Sequence, residues 1–295
     1  MDDLAFSLGT ICRHNRDGSE MTRAQRAQGL AMMAGALRDL GYRLPDARSL
    51  KPKHVDALLS TWRAEGISDA TMKNRMSWLR WWAEKVQKPG LIPRDNGALG
   101  LADKVTFKGP RAEATGGDRM GALPERMQLA IRLQMAFGLR LEESLKLRPA
   151  RADLGDRLAL APAWCKGGRP RDVPIIDADQ RALLDRLHQV CGGGSLIPAQ
   201  HTFISFRKAF EKATLEAGIR NVHKHRHWYA QRRYEALSGF PCPAAGGPTH
   251  DGLTRAEQAR LDAARLTVSR ELGHNRIDVT DAYLGPRRAP RKAAA

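Results

Sequence analysis

Between Lys88 and Gly121 the chain loses its helical periodicity. KPGLIPRDNG, KGP and ATGGD crowd Pro and Gly into a stretch that interrupts both helix and strand. This break constrains the fold more than any other feature, because each flanking segment is long enough to bury a core of its own. It places a domain boundary near Gly109. Residues 1–108 form one domain, with linker continuing towards residue 120, and residues 109–295 form a second.

The first segment reads as helical. Residues 21–40 carry Leu30, Met33 and Leu37 at helical spacing, with Gly41 as a stop signal. A second helix is predicted over 54–64 and a third over 69–86, where Met72, Met76, Leu79, Trp82 and Val86 share one stripe. Ser68 or Asp69 supplies its cap. The other face of this third helix shows Lys73, Arg80 and Trp81, either a solvated face beside a small core or a DNA-facing surface.

The second segment predicts helices over 124–138, 141–147, 180–190, 202–217, 223–237 and 254–272, the last opened by a Thr254/Glu257 capping box. Between them, residues 157–176 alternate as a hairpin: Leu158, Leu160 and Trp164 precede a Lys-Gly-Gly-Arg turn, and Val173 and Ile175 follow it. GGGS at 192–195 is a loop, and 238–252 is an irregular excursion. The expected fold class is mainly α, two helical domains with one small antiparallel β-sheet.

The net charge of +17 and pI of about 10.3 call for a polyanionic partner, nucleic acid above all. The surplus is shared, net +6 over 1–108 and net +11 over 109–295, as suits a clamp around duplex DNA. Cys12, Cys165, Cys191 and Cys242 are scattered without a CxxC pair, which predicts no zinc site, no disulfide framework and a reducing compartment. No apolar run nears the roughly 20 residues of a membrane span, and no signal peptide opens the chain. The expected location is cytoplasmic, at the nucleoid, with no membrane partner.

Four short stretches carry chemistry. GLRLEE puts Arg140 after a glycine break and Glu143 three residues on, on one helix face. Alone, such a pair is a common surface ion pair. WCKGGRPR puts Lys166 at a turn whose glycines permit close approach to a ligand, and Arg169 beside it. HKHRH places His223 and Arg226 at i and i+3 of a helix start, where free N–H groups favour an anion. LGHNRIDVTDAY places Tyr283 nine residues after His274.

In this order the four stretches resemble the tyrosine recombinase (phage integrase) family over residues 120–285, with Arg140, Glu143, Lys166, His223, Arg226, His274 and Tyr283 at the signature positions. The first half is similar only in character to the family's core-binding domain. The chain departs from the family in a longer HxxR-to-LGH interval: 238–270 includes an insertion, and PCPAAGG with the following helix resembles integrases of integrating mobile elements. The resemblance implies a site-specific recombinase that needs no metal, nucleotide or other cofactor. Tyr283 would attack a phosphodiester to give a 3′-phosphotyrosyl link. Arg140, Arg226 and His274 would meet the phosphate charge. His223 would take the tyrosine proton, Lys166, reaching the minor groove, would protonate the leaving 5′ oxygen, and Glu143 would orient Arg140. Lys73, Arg80 and Arg169 are the candidate DNA contacts. Partners implied are a double-stranded recombination site, three further copies in a tetramer, and an accessory DNA-bending protein. The alternatives are a type IB topoisomerase-like nickase and a DNA-binding regulator or accessory protein that keeps the fold with weak or no catalysis.

Overall fold

The computed structural model describes residues 3–102 and 106–289. It divides into two compact units, 1–105 and 106–295.

Among the described residues the first unit holds four α-helices: α1 (Asp3–His14), α2 (Glu20–Asp39), α3 (Pro52–Ala64) and α4 (Asp69–Lys85). Ser19 and Ser68 cap α2 and α4 by accepting from the backbone N–H three residues on. The helix α2 packs against the other three. Leu30, Met33, Leu37, Leu58, Met76, Leu79 and Trp82 are fully buried there, each worth on the order of 2 kcal/mol of burial.

Two sequence expectations change here. The helix α1 was not anticipated: Ser7, Gly9 and Thr10 dilute its pattern, and Leu4 and Leu8 alone form its buried stripe. Trp81 is not on an outer face. It is buried, its Nε1 donates to Asp17 at 2.8 Å, and the Arg26 guanidinium stacks 3.9 Å from its ring centroid.

The second unit runs α5 (Gly117–Gly121), α6 (Glu125–Phe137), α7 (Leu141–Lys146), α8 (Pro149–Ala152), β1 (Arg157–Leu160), β2 (Arg171–Pro174), α9 (Ala178–Cys191), α10 (Phe203–Glu216), α11 (Lys224–Ser238), α12 (Arg255–Glu271) and α13 (Ile277–Leu284). The mainly helical class with one small antiparallel sheet is thus observed. The helix α6 packs on α7, α9 and α11, and α11 also packs on α12 and α13. Thr115, from the Gly-rich stretch read as linker, is buried in this unit and hydrogen-bonds His225 at 2.7 Å.

The β-hairpin pairs Leu158 with Val173 and Leu160 with Arg171. Its strands are shorter than the alternation suggested. Trp164 falls in a 3-10 turn, because Pro162 has no N–H to extend the ladder. Beyond that turn, Gly167 and Gly168 take left-handed backbone. The helix α13, which carries Tyr283, was also not anticipated.

The excursion after α11 forms a clasp. His250 N–H donates to the Arg287 carbonyl at 2.7 Å, the Asp251 carboxylate accepts from Ala289 N–H at 2.8 Å, and buried Arg265 in α12 reaches both Asp281 and the Gly285 carbonyl at 3.0 Å. The insertion and α12 thereby hold the chain that leaves Tyr283. Residues 290–295 of the basic tail lie outside the described residues.

Candidate active site

The site is assembled by four chain ends meeting around one guanidinium. The helix α6 stops at Gly138, whose left-handed φ of 60° turns the chain into α7. A side chain there is excluded, since a Cβ would lie 2.4 Å from Tyr229 Cδ1. The close approach leaves the Gly138 carbonyl facing Arg226, the third residue of α11. Arg226 is fully buried. Its NH1 donates to Gly138 O, its NH2 to Leu272 O at the end of α12, and its Nε to Tyr283 Oη at 3.3 Å.

Tyr283 is nearly enclosed, 6% exposed. Its hydroxyl lies 3.5 Å from His223 Nε2 and 3.5 Å from His274 Nε2. His274 Nε2 is in turn 3.3 Å from Arg226 NH2. His227 packs on the phenol ring with centroids 4.6 Å apart. Gln231 donates to the Tyr283 carbonyl at 3.0 Å, which helps fix α13 on α11.

Beside this group sits Glu143, fully buried at the third position of α7. One oxygen accepts the Arg140 backbone N–H at 2.7 Å, and the other accepts Arg140 NH1 at 2.7 Å. Arg171, the first residue of β2, grips the same carboxylate at 2.9 and 2.6 Å. Arg171 Nε also donates to the Glu271 carbonyl at 2.7 Å. The Glu271 carboxylate binds Tyr229 Oη at 2.7 Å and Arg233 at 2.9 Å.

Electrostatics follow from this enclosure. Burial alone would raise the Glu143 carboxyl, but the hydrogen bonds and charge of Arg171, then those of Arg140, hold it at about 2. Burial, with Arg226 and Arg140 nearby, pushes His223 and His274 down to about 4; burial and the neighbouring His223 do the same to His227. All three imidazoles are neutral at pH 7. Burial lowers Arg226 to about 10, so it stays charged. Three guanidiniums against one carboxylate leave the pocket electropositive, able to hold an anion against the Tyr283 hydroxyl. Among the described residues, no group of three or more His, Cys, Asp or Glu side chains is placed to hold a metal ion.

Of the residues singled out from the sequence, Arg140, Glu143, His223, Arg226, His274 and Tyr283 come together. Lys166 does not join them: it is exposed in the hairpin turn, as is Arg169. Lys73 and Arg80 belong to the first unit, where they bind the segment after α4. Lys73 Nζ donates to Ala102 O, and Arg80 donates to Pro93 O and Asn96 Oδ1, both at 2.9 Å. Sequence reading missed Arg171, His227 and Glu271. For Arg171 a signal existed: the alternation that turns Val173 inward turns Arg171 inward too.

Residues 1–89 match the model of a family described as "Phage integrase, N-terminal". The tyrosine recombinase XerC of Methylobacterium nodulans is 29% identical over 201 residues, 62% of this chain and 57% of that relative. By these matches the chain is similar to the tyrosine recombinase (phage integrase) family. It spans under three fifths of the length of that family relative. Its fold is that of a lambda integrase dimer bound to a COC′ core site, with TM-score 0.63 at 17% identity over 99% of this chain and 98% of the other. It is likewise similar to a lambda integrase tetramer bound to a Holliday junction, with TM-score 0.56 at 18% identity over 92% and 76% of the two chains. No helix among the described residues is long and apolar enough to cross a membrane.

Proposed function

We propose that the protein is a site-specific DNA recombinase that cleaves and rejoins strands through a 3′-phosphotyrosyl link to Tyr283, in the integration or excision of a mobile element. The observation that carries this reading is the Tyr283 hydroxyl held within 3.5 Å of Arg226, His223 and His274. The similarity to XerC recombinases and the phage-integrase match of the first unit support it.

Tyr283 Oη attacks phosphorus as the bond to the 5′ oxygen breaks. The phenolic proton passes to neutral His223 Nε2. Lys166 comes to the 5′ oxygen with the DNA and supplies its proton. Arg140, Arg226 and His274 stabilise the charge on the non-bridging oxygens. One phosphoester is exchanged for another, so a 5′ hydroxyl of a second strand reverses the step without ATP. The lambda integrase tetramer on a Holliday junction supports assembly of four copies on paired sites. The soluble, nucleoid-bound setting follows from that substrate. The chemistry assigns no step to a metal, so strand exchange in excess EDTA is expected to match the untreated rate.

The deciding experiment incubates the protein with nicked duplexes from the ends of its own element and looks for a DNA-linked band on a denaturing gel. Wild type is expected to give the band and Tyr283→Phe none. Tight binding without a band from wild type would instead favour the regulator that keeps the fold without the chemistry.

A further inference from the structure

We infer that Arg171 is a positioning residue for strand cleavage, acting through Glu143 to keep the Arg140 guanidinium oriented and its charge available to the scissile phosphate. The inference rests on the phosphotyrosyl reading above.

The geometry assigns Arg171 a task that neither neighbouring arginine performs. Among the described residues Glu143 is the sole carboxylate touching Arg140, and it lies fully buried. Were Arg140 its only partner, the pair would be neutral overall, and the charge meant for a phosphate would be cancelled where it is needed. Arg171 prevents this by meeting both Glu143 oxygens, through NH1 at 2.9 Å and NH2 at 2.6 Å. The carboxylate then keeps Arg140 in place by its backbone N–H and NH1, while the three groups together retain one positive charge. Arg140 stays partly open, its side chain 21% exposed against 6% for Arg171. One guanidinium faces the substrate and the other stands behind the carboxylate.

Arg171 is itself fixed. Its Nε donates to the Glu271 carbonyl at 2.7 Å, and its aliphatic stem packs on Gly273, where a Cβ would come 3.1 Å from Arg171 Cδ. Glu271 and Gly273 lead directly into His274. Arg171 also opens β2, five residues past Lys166. A single side chain thus ties the base of the Lys166 hairpin to α7 and to the turn before His274. A lysine could supply the charge here but not the planar fork that spans a carboxylate and a carbonyl at once.

The test is single-turnover formation of the covalent adduct on a nicked duplex, measured against DNA concentration for wild type, Arg171→Met, Arg171→Lys, Glu143→Gln and the Arg171→Met/Glu143→Gln double variant, with melting curves for each. Arg171→Met is expected to lose roughly 100-fold in the rate at saturating DNA, with the half-saturating DNA concentration within about twofold of wild type. Arg171→Lys is expected to recover only part of that rate. In the Glu143→Gln background the Arg171→Met change should cost less than about threefold, because the carboxylate it offsets is gone. That last comparison stands even if Arg171→Met alone is too unstable to assay. A folded Arg171→Met that cuts at the wild-type rate overturns the inference, and so does a loss as large in the Glu143→Gln background as in wild type. Absence of adduct from wild type itself would defeat the functional reading instead.

Discussion

The two sides of the candidate site are built in opposite ways. Arg226, Arg171 and Glu143 have side chains with 6% exposure or less, and each is held by at least two polar partners. Lys166 stands exposed in a turn whose glycines take left-handed backbone. The groups proposed to answer phosphate charge are oriented by the fold itself, when their ordering is part of folding. The group proposed for the leaving oxygen stands in solvent on the hairpin turn. The difference teaches that a buried charge array and an exposed candidate proton donor fail differently when altered.

The largest effect expected is on the buried side. Arg140→Ala and Arg226→Ala should each lower adduct formation by roughly 100- to 1,000-fold with DNA binding largely kept. Their melting temperatures should separate them. Arg226→Ala strands the Gly138 and Leu272 carbonyls, at about 1–3 kcal/mol each, whereas Arg140→Ala leaves Glu143 paired with Arg171. Equal melting curves would break the distinction. On the exposed side, Lys166→Ala should cost about 100-fold in rate with no change in melting. Replacing the 5′ leaving oxygen by sulfur, which departs without a proton, should restore that rate and leave Arg140→Ala slow. A Lys166→Ala variant equally slow on the sulfur substrate would remove Lys166 from the role of acid.

A smaller, purely structural effect belongs to Gly138→Ala. The added methyl meets Tyr229 and Leu272 at a left-handed backbone, and stability should fall by about 2–3 kcal/mol, read from urea unfolding. The gentlest test is pH. His223, His227 and His274 have folded values near 4, against 6.5 for a free imidazole. Between those values the unfolded chain binds more protons, so stability is intact above about pH 6.5 and declines as pH falls towards 4. Cleavage should hold steady from pH 8 to about 6 and drop as His223 protonates, in a stopped-time adduct assay. A rate that rises on acidification would reverse the role given to His223.

Much of this site was legible because its residues sit in short motifs whose spacing survives folding: Arg140 with Glu143, His223 with Arg226, His274 with Tyr283. The apolar stripes of α2 and α4 were legible for the same reason, since a helix repeats every 3.6 residues whatever it packs against. What stayed hidden depends on partners far along the chain. Arg171 meets a carboxylate 28 residues away, and alternation along β2 could say that it points inward but not towards what. The helix α13 is eight residues long with Val279 and Thr280 in its middle, a poor helix by propensity. It is held by packing on α11 and α12 and by the Arg265–Asp281 pair. Trp81 was misplaced because adjacent tryptophans at 81 and 82 were assigned to opposite faces, while an Asp17–Arg26 pair closes over the first of them.

Three guanidiniums around one carboxylate, with neutral imidazoles between them, have a consequence for the protein at rest. The pocket carries surplus positive charge that folding concentrates and the unfolded chain disperses. A small oxyanion that settles there stabilises only the folded state, by RT ln(1 + [L]/Kd). Resistance to heat is then partly a property of the solvent: melting curves taken in phosphate and in chloride measure two different equilibria of the same chain.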